Sequence, residues 1–162
     1  MSPNNASRPT DLSANLAREN AAWRTLLTLL EDEERALIDG DADRLAPLNA
    51  AKLSQFNTIG DLTRARYTAL LASGCTADPA GMADWLARQG QPEDQLCWQQ
   101  LREMEPQAQA INARIGVLID LRLTSTRQAL NVLVQSATRQ GGLYDQAGQA
   151  ISAGKAKPII AA

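Results

Sequence analysis

Apolar residues recur at steps of three and four along the first part of the chain, at Leu12, Leu16, Trp23, Leu26, Leu27, Leu30, Leu37 and Ile38. At 3.6 residues per turn this spacing gathers them on one face and predicts an amphipathic helix over residues 11–39, with Thr10 or Asp11 as its cap. Gly40 suits the left-handed residue that ends a helix. Asp41 can then cap a second helix, with Asp43 complementing its dipole. That second helix is expected over 43–72, with Leu45, Leu48, Phe56, Ile59, Leu62 and Leu70 on its inner side. So short a turn makes the two helices an antiparallel pair. Ser73 and Gly74 close the second helix.

Pro79, Gly81, Gly90 and Pro92 punctuate the next stretch. They leave room for a short helix over 80–88 carrying Met82, Trp85 and Leu86, which reads as a cap across one end of the pair. Pro92 suits a first helical position and Glu93 and Asp94 the first turn, so a long helix is expected over 93–140. Its ladder is Leu101, Met104, Ala108, Ile111, Ile115, Ile119, Leu123, Thr126, Leu130, Leu133 and Ala137. Three successive steps of four between Ile111 and Leu123 should locally unwind any supercoil. Pro106 either kinks or breaks this helix, because it lacks an amide donor and crowds the preceding turn. Unbroken, the helix would run for roughly 70 Å at 1.5 Å per residue, making the molecule elongated. After Gly141 and Gly142 the periodicity ends among glycines and small residues, and 141–162 reads as a flexible tail. The expected fold is all-α: an elongated antiparallel hairpin plus a long C-terminal helix, forming a three-helix coiled-coil-like bundle in a single domain over 1–140.

Composition sharpens this picture. The chain has 162 residues, 44% hydrophobic but only 4% aromatic, enough for one core and weighted toward helix over sheet. A net charge of −2 supplies no positive field to attract nucleic acid. Arg102, Arg114, Arg122, Arg127 and Arg139 alternate with apolar positions and read as a solvated face. No segment is apolar enough to insert in a membrane, and residues 1–9 lack a secretory pattern. The sequon Asn5-Ala6-Ser7 carries no weight without a secretory route. Cys75 and Cys97 lack metal or redox spacing and read as reduced thiols, so the expected location is the cytoplasm.

Catalytic chemistry is missing. The chain has no histidine, and neither a phosphate-cradling glycine loop nor a nucleophile elbow occurs. Glu31, Asp32, Glu33 and Glu34 are consecutive, so they point in different directions around a helix and read as its solvated end. The hydroxyls of Thr124, Ser125 and Thr126 are expected to bond back to the preceding turn. The chain reads as a binding protein without cofactor or metal, not an enzyme.

The stretch Ile111–Gln149, INARIGVLIDLRLTSTRQALNVLVQSATRQGGLYDQAGQ, resembles the C-terminal signature of FlgN-type flagellar export chaperones. Asn112 and Gly116 stand where that family has an Asn and a Gly before an apolar pair, here Leu118 and Ile119. Arg122, Leu123, Thr126, Gln128, Ala129, Leu130 and Leu133 follow its RLxxTxQALxxL run, and Leu143–Gln149 resembles its LYGxDGQ element. The Glu-rich first helix followed by Gly40–Leu45 is similar to its hairpin turn. Ile115 replaces a second Asn and Asp145 replaces the Gly after the Tyr.

The resemblance implies a cytoplasmic chaperone that holds hook-filament junction proteins, of the FlgK and FlgL type, by a helical terminus until they enter the flagellar type III export apparatus. The export gate is implied as a second partner. Physically, an unpaired apolar stripe on such a terminus can be covered by another helix with a complementary stripe. Val117, Leu118 and Leu121 lie off the stripe expected to face the hairpin and are candidate client contacts. Gly116 is another, since its missing Cβ permits close approach, as are Arg122, Leu130 and Leu133 of the shared run. Leu143 and Tyr144 are expected to order on binding client or gate. The competing reading is a structural coiled-coil homo-oligomer or adaptor, whose surplus apolar face joins copies of the chain.

Overall fold

The computed structural model describes the backbone of residues 9–141 and the side chains of residues 12–139. The fold is all-α, as the periodicity predicts: α1 (Pro9–Asp39), α2 (Ala42–Ala72), α3 (Pro79–Gln89) and α4 (Pro92–Gly141). Two compact units divide the chain, Met1–Ile119 and Asp120–Ala162.

Local chemistry sets the helix ends. Gly40 has φ 72°; its N–H donates to the Leu37 carbonyl and that of Asp41 to the Ala36 carbonyl, a pairing that satisfies the orphan carbonyls of α1. The Asp41 carboxylate accepts from the Arg44 N–H at 3.3 Å, which starts α2 without delay. Gly74, at φ 74°, repeats this arrangement after α2. The Asp94 carboxylate accepts the Gln91 N–H at 2.8 Å and the Ser13 hydroxyl at 3.0 Å. Asp94 thus starts α4 and ties it to α1, a role beyond the dipole contribution expected of it. Pro106 does not break α4. It is exposed, so the carbonyl that loses its donor there can be hydrated.

Two apolar clusters fill the first unit. One joins Leu12 and Leu16 of α1, Leu70 of α2, Met82 and Trp85 of α3, and Leu101 of α4. The other joins Leu26 and Leu30 of α1, Ile59 of α2, and Ala108, Ile111 and Ile115 of α4. Cross-helix bonds fix the directions. Asn15 donates to the Leu62 carbonyl, Gln55 to the Ala22 carbonyl and Lys52 to Glu33, so α1 and α2 are antiparallel. Ser13 donates to Asp94, Asn20 to the Cys97 carbonyl and Arg114 to Glu34, so α1 and α4 are parallel.

A buried polar group joins all three long helices. Arg66 of α2 donates to both oxygens of Glu19 on α1, at 2.8 and 3.2 Å, and Thr63 donates to the same carboxylate at 2.8 Å. The Arg66 guanidinium lies 4.9 Å from the ring centroids of Tyr67 and of Trp98 on α4. With the carboxylate fully engaged and the cation between aromatic faces, both charges are compensated where water cannot reach them.

Several expectations need correction. Ile38 is 61% and Phe56 44% exposed. Phe56 lies about 60° around the helix from the buried Ile59, at the edge of the inner face, and Ile38 sits in the last turn of α1, where the hairpin ends. The acidic run is not simply solvated. Glu33 is buried and accepts Lys52 Nζ on both oxygens, at 2.9 and 2.6 Å. Glu34 takes Arg114 in a two-bonded pair at 2.6 and 3.0 Å, so Arg114 is a cross-link and not part of a free basic face.

The Arg114 hydrogen bond, outweighing desolvation, holds the Glu34 carboxyl below its usual pKa. A lowered carboxyl contributes stability that is complete above its unfolded pKa and is lost as pH falls through the folded value. The denaturant midpoint of Glu34→Gln is therefore expected to fall less than that of the parent between about pH 7 and about pH 3. Identical pH dependence would show that the pair contributes nothing.

Candidate partner-binding surface

The apolar ladder of α4 changes environment part-way along. Leu101, Met104, Ala108, Ile111 and Ile115 are buried, whereas Ile119, Leu123, Leu130 and Leu133 are 40–64% exposed. Arg114 pairs with Glu34 on the parallel α1, and about one turn further on Ile119 stands at an open groove lined by Leu37 of α1 and Leu45 of α2. From Ile119 to Arg139 every described side chain is exposed. The Thr126 hydroxyl donates to the Arg122 carbonyl and that of Thr138 to the Val134 carbonyl, the bond back to the preceding turn expected for Thr126.

The exposed residues are not a mixed surface. Ile119, Leu123, Leu130, Leu133 and Val134 fall within about 100° of helix circumference, and Val117, Leu121 and Val132 form a second stripe on the far side. Each of them is at least 40% exposed. A helix apolar on two sides and buried on neither, beyond Ile119, has the character of one half of an interface.

The family model described as FlgN protein matches residues 8–151. The chain belongs to the FlgN family. That family consists of flagellar export chaperones, which bind flagellar proteins and are not enzymes. No curated protein and no solved structure matches the chain. Among the described residues of this FlgN-family chain, no helix is long and apolar enough to cross a membrane and no side-chain group could hold a metal ion.

The candidate contacts fall into distinct environments. Val117 and Leu121 are 68% and 65% exposed on one stripe; Leu130 and Leu133 are 54% and 64% exposed on the other. Gly116 is exposed, and a Cβ built on it would meet nothing within 4 Å. Close packing within the chain therefore does not account for this glycine. Arg122 is also exposed. Leu118 differs from its expected position: it is half-buried and packs against the second apolar cluster, because it precedes the end of the hairpin on the flank of α4 turned toward α1 and α2. Leu143 and Tyr144 lie outside the described residues.

Leu123, Val132 and Val134 complete the exposed stripes but are not among the partner contacts expected from the sequence. Leu123 belongs to the same ladder as Ile115, and periodicity alone carries no information on where the partner helices stop. The usable signal was helix length, since the first two helices are about 31 residues each and α4 is 50.

Proposed function

We propose that this chain is a cytoplasmic chaperone of hook-filament junction proteins, holding their apolar helical terminus against the part of α4 beyond Ile119 until they enter the export apparatus. The observation that carries this reading is the run of exposed aliphatic side chains from Ile119 to Val134. An amphipathic client helix laid along either stripe would remove apolar surface from water on both partners. The unassembled client would meanwhile lose the face by which it self-associates. Family membership supports a flagellar protein as client; the junction proteins are the more specific part of the proposal.

Titration calorimetry with the two hook-filament junction proteins of the source bacterium tests it. The expected result is saturable binding to at least one of them, with a negative heat-capacity change from apolar burial. Absence of binding to both would refute the client assignment. Light scattering on dilution separates this reading from a structural homo-oligomer: a stable oligomer lost on mutating the exposed stripe would favour the latter.

Leu143 and Tyr144 are proposed as contacts for the client or for the export gate, on the strength of the family resemblance. Truncation after Gln140 is expected to weaken that binding while far-UV helicity changes little. Loss of overall folding on truncation would overturn this role.

A further inference from the structure

The unit Met1–Ile119 contains an open cleft of about 230 Å³ where α1, α2 and α4 meet. Trp23, Leu26 and Leu30 of α1 and Ala108 of α4 form its apolar lining. Phe56 of α2 stands at its mouth, 44% exposed. Leu53, three residues earlier on the same side of α2, is 64% exposed. On the α4 side the mouth is polar, with Glu105, Gln109 and Asn112.

Three observations indicate what such a cleft accepts. Its volume is below the roughly 300–1,000 Å³ of small-molecule sites, so it suits a single large side chain better than a cofactor. Among the described residues, the buried side-chain polar atom that lacks a hydrogen-bond partner is Nε1 of Trp23, a residue of this lining; Asn15, Glu19, Asn20, Glu33, Arg66 and Asp94 are all engaged. Buried donors are otherwise satisfied, and a methionine or tyrosine of an occupant would combine apolar bulk with an acceptor for this N–H. Finally, Glu105 makes no ion pair or side-chain hydrogen bond among the described residues, so the mouth presents an uncompensated carboxylate.

We infer that this cleft is a second docking point for the flagellar client, taking one large apolar side chain of an amphipathic client helix while a lysine or arginine about one turn away pairs with Glu105. This rests on the chaperone reading above. The apolar lining supplies burial, the exposed Phe56 and Leu53 extend the contact by one helical turn, and the carboxylate selects a basic neighbour. Charge at the mouth gives orientation and association rate more than affinity, so the contact weakens with added salt.

The test uses the full chain carrying 5-fluorotryptophan, with the Trp23 fluorine resonance assigned through Trp23→Phe, titrated with each junction protein. In parallel, Glu105→Arg, Glu105→Gln and Leu130→Asp are compared by calorimetry and thermal melting. The expected result is a shift of the Trp23 resonance on binding. Glu105→Arg should lose affinity by about fivefold to tenfold and Glu105→Gln less, both with an unchanged melting temperature. An unmoved Trp23 resonance and unchanged affinity for Glu105→Arg, with binding still destroyed by Leu130→Asp, would overturn the cleft assignment and leave the chaperone reading standing. Absence of binding, or binding indifferent to Leu130→Asp and Glu105→Arg alike, would overturn both. A Trp23 shift produced by raising the concentration of the chain alone, or by truncation after Gly141, would assign the cleft to a second copy or to the chain's own C-terminal segment and overturn the proposal.

Discussion

The double substitution Leu130→Asp with Leu133→Asp is expected to abolish client binding at micromolar concentrations while leaving the melting temperature of the chain within about 4 °C of the parent. Both side chains are more than half exposed, and exposed substitutions away from caps and networks change stability by about 0.5 kcal/mol or less. In the complex each leucine would bury apolar area worth about 1.5–3 kcal/mol, and an aspartate would add the cost of desolvating a charge. Two such losses amount to at least about a 100-fold drop in affinity. Leu121→Asp should behave similarly if the Val117–Leu121–Val132 stripe is used. Leu118→Asp should not, because its contact with the second apolar cluster makes it a stability variant as well. Calorimetry with the junction protein and a thermal melt of each variant separate these cases. A loss of melting temperature parallel to the loss of binding at Leu130 and Leu133 would place them in a core, contrary to the exposure described.

Arg66→Ala is expected to destabilise the fold by about 3–5 kcal/mol, the cost of leaving a buried charge without its partner. Glu19 is 1% exposed, so its carboxylate cannot be rehydrated without opening the junction of α1 and α2. The same change removes the guanidinium from between Tyr67 and Trp98. Urea unfolding monitored by circular dichroism gives the value. The double variant Glu19→Gln with Arg66→Met should recover much of the loss, because the uncompensated charge is gone. A single-variant cost below about 1 kcal/mol would mean that water reaches Glu19 and the network is not closed.

Features fixed by local geometry could be read from the sequence, and those that depend on a partner from another helix could not. Helix identity and ends were legible, since Gly40, Asp41, Gly74 and Pro92 impose local geometry that does not depend on distant partners. Much of the core was legible too, as the inward positions Leu16, Leu26, Leu70 and Ile115 follow from periodicity. The engaged charges were not. Glu33, Glu34, Arg66 and Arg114 have no sequence feature that separates a solvated residue from one whose partner arrives from another helix. The candidate surface was legible in location but incomplete. Val117 and Leu121 stood out as surplus, while Leu123, Leu130 and Leu133 fell on the ladder that upstream residues use for the core. Periodicity is the same along the buried and the exposed stretches of one ladder, so it could not separate them.

Backbone hydrogen exchange across Ile119–Arg139, with and without client, tests the central claim most directly. A helix of about 20 residues whose described side chains are all exposed, and that contains Thr124, Ser125, Thr126, Val132 and Val134, is marginal on its own intrinsic propensity. Its amides should exchange far faster than those near Ile111 and Ile115 in the free chain. Saturation with a hook-filament junction protein should slow them by at least about tenfold, as apolar burial stabilises the helix by more than about 1.4 kcal/mol. Amides in this stretch that exchange equally fast in a saturated complex would contradict the account, because the client would then be held elsewhere.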